Sequence, residues 1–423
     1  GLVWPGETVF PDFSIKAGRN WWAANVKRFA SQGIDGCWLD LNDPSTGYVD
    51  YDAMLFDHGT RPHAAFHNQY ALGMARASHE GFRKAHPNQR PFMLCRSGFT
   101  GSSKYTAIWT GDNISNNHYL RISIPCSLNL SLSGIPFNAP DMGGFGGDTS
   151  TQLMVNWYKC GFLFPLFRNH SAKGGMRQEP WIFDNDIIDI LRHYTRLRYK
   201  FRHYLYNLFI AQEEVGDPIL RPLVYEFNDT EALPLGRIDD QFMIGPAILQ
   251  APVVEGNCWN RSVVLPNTRW YSALDAAWIN GGRTVTTDVP REKTPIYFRE
   301  GEIVPTATGD ILDDNRYDGS KVEFHIFLKK DSSLEAGTEY AFDDGLSFDY
   351  RQGRRSIVSV EATVSPDGIL EISSALVHDG FGECRMTFIL YDDFPKVKLN
   401  GKSLIPERHV WRLAGQIQKT FRI

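Results

Sequence analysis

Apolar residues alternate along 33–41 and the run breaks at Asn42-Asp43-Pro44, with one carboxylate, Asp40, at its end. A buried strand finishes this way when its last side chain must face a cleft, so the pattern predicts a strand here. The design recurs. Runs at 90–95 and 105–110 open into Arg96-Ser97-Gly98 and Gly111-Asp112-Asn113. Ile135-Pro136-Phe137 leads to Asp141 and a glycine-rich turn, and the run 161–167 ends at Arg168-Asn169-His170. Between these runs the period lengthens to that of helices. Trp22, Val26 and Phe29 share one side of 20–30, and Phe66, Tyr70, Met74, Ala77 and Phe82 predict a helix over 63–86 that Pro87 stops. A third helix, kinked at Pro125, is expected over 115–133, and a fourth begins at Thr149 as its cap, with Asp148 assisting. Ile187 to Leu208 forms one long apolar stripe.

Five strand-then-helix repeats, each with polar residues just past the strand, predict parallel β/α architecture. Barrels spend roughly 30 residues per unit and carry their chemistry on the loops after the strands. Asp40, Arg96, Asp112, Asp141 and His170 all fall on such loops. After about 215 the period turns to alternation, in short runs separated by Gly, Pro and Asn. The predicted fold class is α/β: a (β/α)8 TIM barrel, of which this chain holds strands 4–8, followed by two all-β sandwich domains. The expected domains are 1–215, 216–315 and 316–423, with the sandwiches dividing near 308–320. Five units leave a barrel unclosed, and an open sheet exposes unpaired edges. An N-terminal segment of the same protein, a β-domain plus barrel strands 1–3, is therefore an expected partner, covalent or as a separate chain.

Composition narrows the partners. At 423 residues and 42% hydrophobic, the chain can bury large cores. A net charge of -5 without basic blocks argues against nucleic acid or an anionic membrane as the main partner. No apolar run approaches the roughly 20 residues of a membrane helix. The six cysteines are scattered, without CxxC or histidine at metal spacing, so buried thiols are expected, not a disulfide framework or a metal site. Asn129, Asn228 and Asn260 begin N-x-S/T triplets, and no compartment follows from them. The glycine turn at 143–147 lacks the Lys-Ser/Thr of a phosphate loop.

A lone strand-end Asp is usually a turn residue. Asp40 and Asp112 are two, each near a tryptophan and two βα units apart, and such a pair suits cleavage of a glycosidic bond. Asp12 is expected to fix its own loop, and Asp343-Asp344 reads as a turn before a calcium-prone pair.

Trp38-Leu39-Asp40-Leu41-Asn42-Asp43-Pro44-Ser45, Arg96-Ser97-Gly98-Phe99 and Trp109-Thr110-Gly111-Asp112-Asn113 resemble motifs of glycoside hydrolase family 31, the α-glucosidases and their relatives. Asp141-Met142-Gly143-Gly144-Phe145, Phe167-Arg168-Asn169-His170-Ser171 and Gln178-Glu179-Pro180-Trp181 are similar to further segments of that family, and the likeness runs from about 1 to 350. The resemblance implies a retaining mechanism with no metal or organic cofactor. Asp40 is then the nucleophile and Asp112 the acid/base, whose carboxyl groups such chemistry sets roughly 5–5.5 Å apart. Arg96, Asp141, Arg168 and His170 would bond the hydroxyls of an α-glucoside or oligosaccharide. Trp38, Trp109 and Phe145 would wall the pocket, as would Leu41, where the family usually has Met. Departures fall at Asp43 for Glu, at Ile108 for His, and at 116–118 and 138–140. They leave both carboxylates intact and bear on sugar preference. The implied activity is that of an exo-acting retaining α-glucosidase. A transglucosylase, an α-xylosidase or α-galactosidase, and a non-catalytic sugar-binding protein remain open at this point.

Overall fold

A computed structural model describes the chain except Pro5, Tyr48, Ala232, Asn257, 310–317 and 414–415. It opens in a hairpin, β1 (Leu2–Val3) with β2 (Gly6–Glu7). Asp12 then accepts from the Ser14 amide at 3.0 Å, the loop-fixing role expected of it. Helix α1 (Lys16–Ala30) buries Ala23 and Ala30, whereas Phe29 stays half-exposed. It crosses α2 (His67–Ala85) so closely that a Cβ on Gly81 would lie 2.6 Å from Val26 Cβ, a contact only glycine permits.

Between these helices runs β3 (Gly36–Leu39), then a loop carrying the short pair β4 (Leu55–Phe56) and β5 (Arg61–Pro62). Next come β6 (Phe92–Cys95), β7 (Ala107–Trp109), α3 (Asn117–Leu132) with Pro125 inside it, and β8 (Asn138–Ala139). Strands β3, β6, β7 and β8 lie side by side, all parallel. Past Pro140 the chain continues as β9 (Asp141–Met142), which pairs in parallel with β10 (Arg168–Asn169). Met93, Leu94 and Cys95 on β6 and Ala107, Ile108 and Trp109 on β7 are two consecutive runs, all buried, as in a parallel sheet covered on both faces. The barrel is incomplete: among the described residues, β3 has a strand on one side only.

Local differences from the sequence expectation have physical causes. The run 161–167 is not a strand. Phe162, Leu163 and Phe164 are buried in a turn after α4 (Thr151–Gly161), and strand pairing starts only at Arg168. Arg198 replaces the missing ladder, donating to the carbonyls of Phe162, Phe164 and Pro165 at 2.9, 2.6 and 2.9 Å. A short apolar run alone cannot distinguish strand from buried turn. The cap of α4 is Ser150, whose hydroxyl accepts from the Leu153 amide at 3.2 Å, and Asp148 instead accepts from Met176 at 2.7 Å. The long stripe divides at Phe201 into α5 (Asn185–Lys200) and α6 (Arg202–Val215). Only Cys95 and Cys160 of the six thiols are buried, and Cys126 is exposed. No group of metal-ligating side chains occurs among the described residues.

Beyond α6, one six-stranded sheet gathers strands between Leu220 and Arg299, with Asn260–Leu265 and Arg283–Asp288 paired beside it. Two five-stranded sheets follow. Part of the expected division near 308–320 lies outside the described residues. The strand before it, Glu302–Ala307, is already paired with Lys321–Phe327 of a later sheet. Phe298 and Phe327 stack at 4.3 Å in a core that also takes in α4, α5 and α6. Asp343-Asp344 forms a turn, and Asp343 reaches back to Arg90 and Tyr206 at 3.0 and 2.7 Å.

Candidate active site

Parallel register lines up the loop residues. Leu39 pairs with Cys95, so Asp40 and Arg96 leave adjacent strands side by side, and the Arg96 amide donates to Leu39 O at 3.0 Å. The chain turns at once after Asp40. Leu41 holds a left-handed φ of 54°, uncommon outside glycine, and Asn42 turns fully inward to accept from the Ser97 amide at 3.1 Å. Arg96 then reaches three carboxylates. Its Nη1 lies 3.3 Å from Asp40 Oδ1 and 3.8 Å from Asp112 Oδ2, while its Nε lies 3.8 Å from Asp43 Oδ1. Asp112 follows β7 after Gly111, whose φ is 82°.

Asp141 and Arg168 are register partners on β9 and β10. Asp141 is fully buried, and Arg168 donates to its Oδ1 through both Nε, at 2.9 Å, and Nη2. Its Oδ2 meets no protein donor. Burial pushes the Asp141 carboxyl up to about 6, Arg168 pulls against that rise, and the charge of Asp112 adds to it. The Arg168 guanidinium sits 4.9 Å over the Trp109 ring and 6.0 Å from the Trp38 ring.

The aromatic residues form a layered wall. Trp109 is 1% exposed and lies beneath, 5.5 Å from the half-exposed Trp38, so it supports the wall and has no open face of its own. His170 meets Trp38 edge-on at 5.8 Å and stacks on Phe145 at 5.3 Å. Burial, then the charge of Arg168, lowers the His170 pKa, while Asp112 and Asp40 oppose that fall. Recorded by contact, the ten residues singled out from sequence fall into one group around Asp40, Arg96 and Asp112 and another around Arg168, joined by the electrostatic reach of His170. Leu41 belongs by chain position alone. Sequence reasoning assigned no task to Asn42, Asn113 and Gln178, all buried beside the site. For Asn42 and Asn113 the signal was present, an amide side chain two past or next to a strand-end carboxylate, whereas Gln178 lies in a loop nine residues past Asn169 and carries no such mark.

Comparison with known proteins places this geometry. The family model for the TIM-barrel domain of glycosyl hydrolases family 31 matches residues 1–208, and the model for the C-terminal domain of that family matches 216–304. An α-glucosidase 2 of Bacillus thermoamyloliquefaciens is 35% identical over 358 residues, which are 84% of this chain and 45% of that protein. An α-glucosidase of Saccharolobus solfataricus is 34% identical, over 76% of this chain and 51% of its own length. The solved structure of a glucosidase II alpha subunit superposes with a TM-score of 0.86 at 26% identity, covering 100% of this chain and 48% of that one. The chain thus spans about half the length of the curated relatives it matches.

Proposed function

The chain belongs to glycosyl hydrolase family 31, and from that premise we propose that it serves a retaining exo-α-glucosidase releasing terminal, non-reducing glucose. Asp40 attacks the anomeric carbon while Asp112 gives its proton to the departing glycosidic oxygen, which leaves a β-glycosyl ester on Asp40. Asp112, now a carboxylate, takes a proton from water as the water oxygen attacks the same carbon. The ester bond breaks, α-glucose departs and both carboxyl groups return to their starting states.

The observation that carries this reading is the shared guanidinium. One nitrogen of Arg96 lies 3.3 and 3.8 Å from oxygens of Asp40 and Asp112, a triangle that caps their separation at about 7 Å and admits the roughly 5–5.5 Å of retaining enzymes. Trp38, Phe145 and His170 offer apolar ring faces to sugar C–H groups. The reading extends to a partner. The one-sided edge of β3 suits further parallel strands from an N-terminal segment of the same protein, joined covalently or bound as a second chain.

Brief exposure to 5-fluoro-α-glucosyl fluoride, followed by intact mass and peptide mapping, tests the chemistry. A glycosyl adduct on the peptide holding Asp40, absent from Asp40→Ala, is the expected result. Sugar binding without any adduct would refute a retaining nucleophile there.

A further inference from the structure

The turn after β9 is the most tightly clamped loop around the carboxylates. Gly143 and Gly144 have φ of 95° and 89°, and a Cβ at either would meet Gln178 Oε1 at 2.2 Å or the Ser115 amide at 2.5 Å. Asn113 grips this turn from one side. It is buried and directly follows Asp112, its Nδ2 donates to Asp141 O at 2.9 Å, and its Oδ1 accepts from the Phe145 amide at 2.9 Å. Its own carbonyl accepts from Phe145 and Gly146 at 3.0 and 2.9 Å. Gln178 grips from the other side, its side-chain amide donating to Gly144 O at 2.9 Å while its backbone carbonyl accepts from Asn169 Nδ2 at 2.6 Å.

Asp112 has little anchorage of its own. Its carboxylate stands 3.8 Å from Arg96, beyond hydrogen-bond length, and Gly111 before it, with a φ of 82°, adds no side chain to hold the segment. We propose that Asn113 is the positioning residue for Asp112, pinning the acid/base to the turn that carries Asp141 and Phe145. The proposal rests on the reading of Asp112 as acid/base. A general acid must come within hydrogen-bond reach of the oxygen it protonates. Asp40 stands at the end of β3, outside every contact that Asn113 makes. Loosening Asn113 therefore impairs proton delivery and spares nucleophilic attack.

The test compares kcat/KM of the full-length protein and Asn113→Ala on two α-glucosides. One carries 2,4-dinitrophenol, which leaves without a proton, and the other carries unactivated phenol. The expected loss is roughly 100-fold on the phenyl glucoside and less than about threefold on the activated one. Gln178→Ala loosens the same turn without touching the acid/base segment, so it should lower both substrates by a common factor. Should Asn113→Ala fail to fold, Asn113→Asp keeps the acceptor for Phe145, loses the donor to Asp141 and undergoes the same comparison. Equal losses on both substrates, or the same pattern for Asn113 and Gln178 variants, overturn the assignment in favour of plain loop stability. A wild-type protein inert to both substrates overturns the α-glucosidase reading itself, a result distinguishable from the others.

Discussion

Arg168→Met removes the guanidinium that holds Asp141 and keeps an unbranched apolar side chain over Trp109. Asp141 is fully buried, and burial lifts its carboxyl to about 6 even with Arg168 in place. An acid whose folded pKa exceeds its unfolded value stabilises the fold fully below the unfolded value and loses that contribution as pH rises. For wild type the loss runs from about pH 3.9 to about 6, at about 1.4 kcal/mol per pH unit, and then levels off because both states are ionised. The accumulated cost of ionised Asp141 at neutral pH is about 3 kcal/mol. Without Arg168 the folded pKa rises further, so the decline continues where wild type is levelling off. The stability gap between the two proteins should widen by about 1 kcal/mol between pH 6 and 7, on top of a constant term from lost packing. Urea unfolding followed by tryptophan fluorescence from pH 5 to 8 measures the gap. Adding Asp141→Asn should abolish the widening. A gap that stays constant across this range, or widens equally in the double variant, refutes the reasoning.

Two other perturbations test the frame around the site. Asp343 is buried and accepts from Tyr206 at 2.7 Å, Gly345 at 2.8 Å, Arg90 at 3.0 Å and Arg355 at 3.2 Å. Asp343→Ala takes one carboxylate from Arg90, which keeps Asp344 at 3.3 Å and Tyr206 at 2.8 Å, and the nearer one from Arg355, and should cost about 3 kcal/mol in urea unfolding near neutral pH. Burial alone would raise the Asp343 carboxyl, but its hydrogen bonds and the charge of Arg90 hold it below the usual range. Its stabilisation is thus present above the unfolded value and lost as pH falls through the folded one, so the deficit should shrink in acid. Gly144→Ala meets both a left-handed φ and the Ser115 amide, and should cost about 1–3 kcal/mol in thermal unfolding together with lowered turnover. An unchanged melt would show that the clamp on this turn is softer than its distances indicate.

The strands were legible because a polar residue breaks a largely apolar run at their ends, and the register then carries Asp40 beside Arg96 and Asp141 beside Arg168. The pairing itself was not legible. Either arginine could have faced Asp40, and the structure commits Arg168 to Asp141 while Arg96 takes Asp40 and Asp112. Run 161–167 misled for the same reason that 90–95 did not. Both are apolar, but only the second has neighbours to complete its ladder, and that is a tertiary fact. The break at Phe201 left no mark either, since no glycine or proline accompanies it and the Phe201 and Leu205 amides both keep helical bonds.

Charge explains why the two arginines are divided in this way. Four carboxyl groups, those of Asp40, Asp43, Asp112 and Asp141, converge on two guanidinium groups, and with Asp112 protonated for its acid step three charges still face two. His170, lowered by burial and by Arg168, adds no positive charge at neutral pH. Arg168 is consumed by the one of the four that is fully buried, where an unpaired charge would cost most. Arg96 is spread over three partners at 3.3 Å or more and neutralises none of them fully. A site left net negative repels anionic ligands and favours positive charge that develops during the reaction. Under the proposed function that charge is the oxocarbenium character of the sugar between its two covalent states. The imbalance that looks like a defect in ion pairing is therefore what the chemistry asks for.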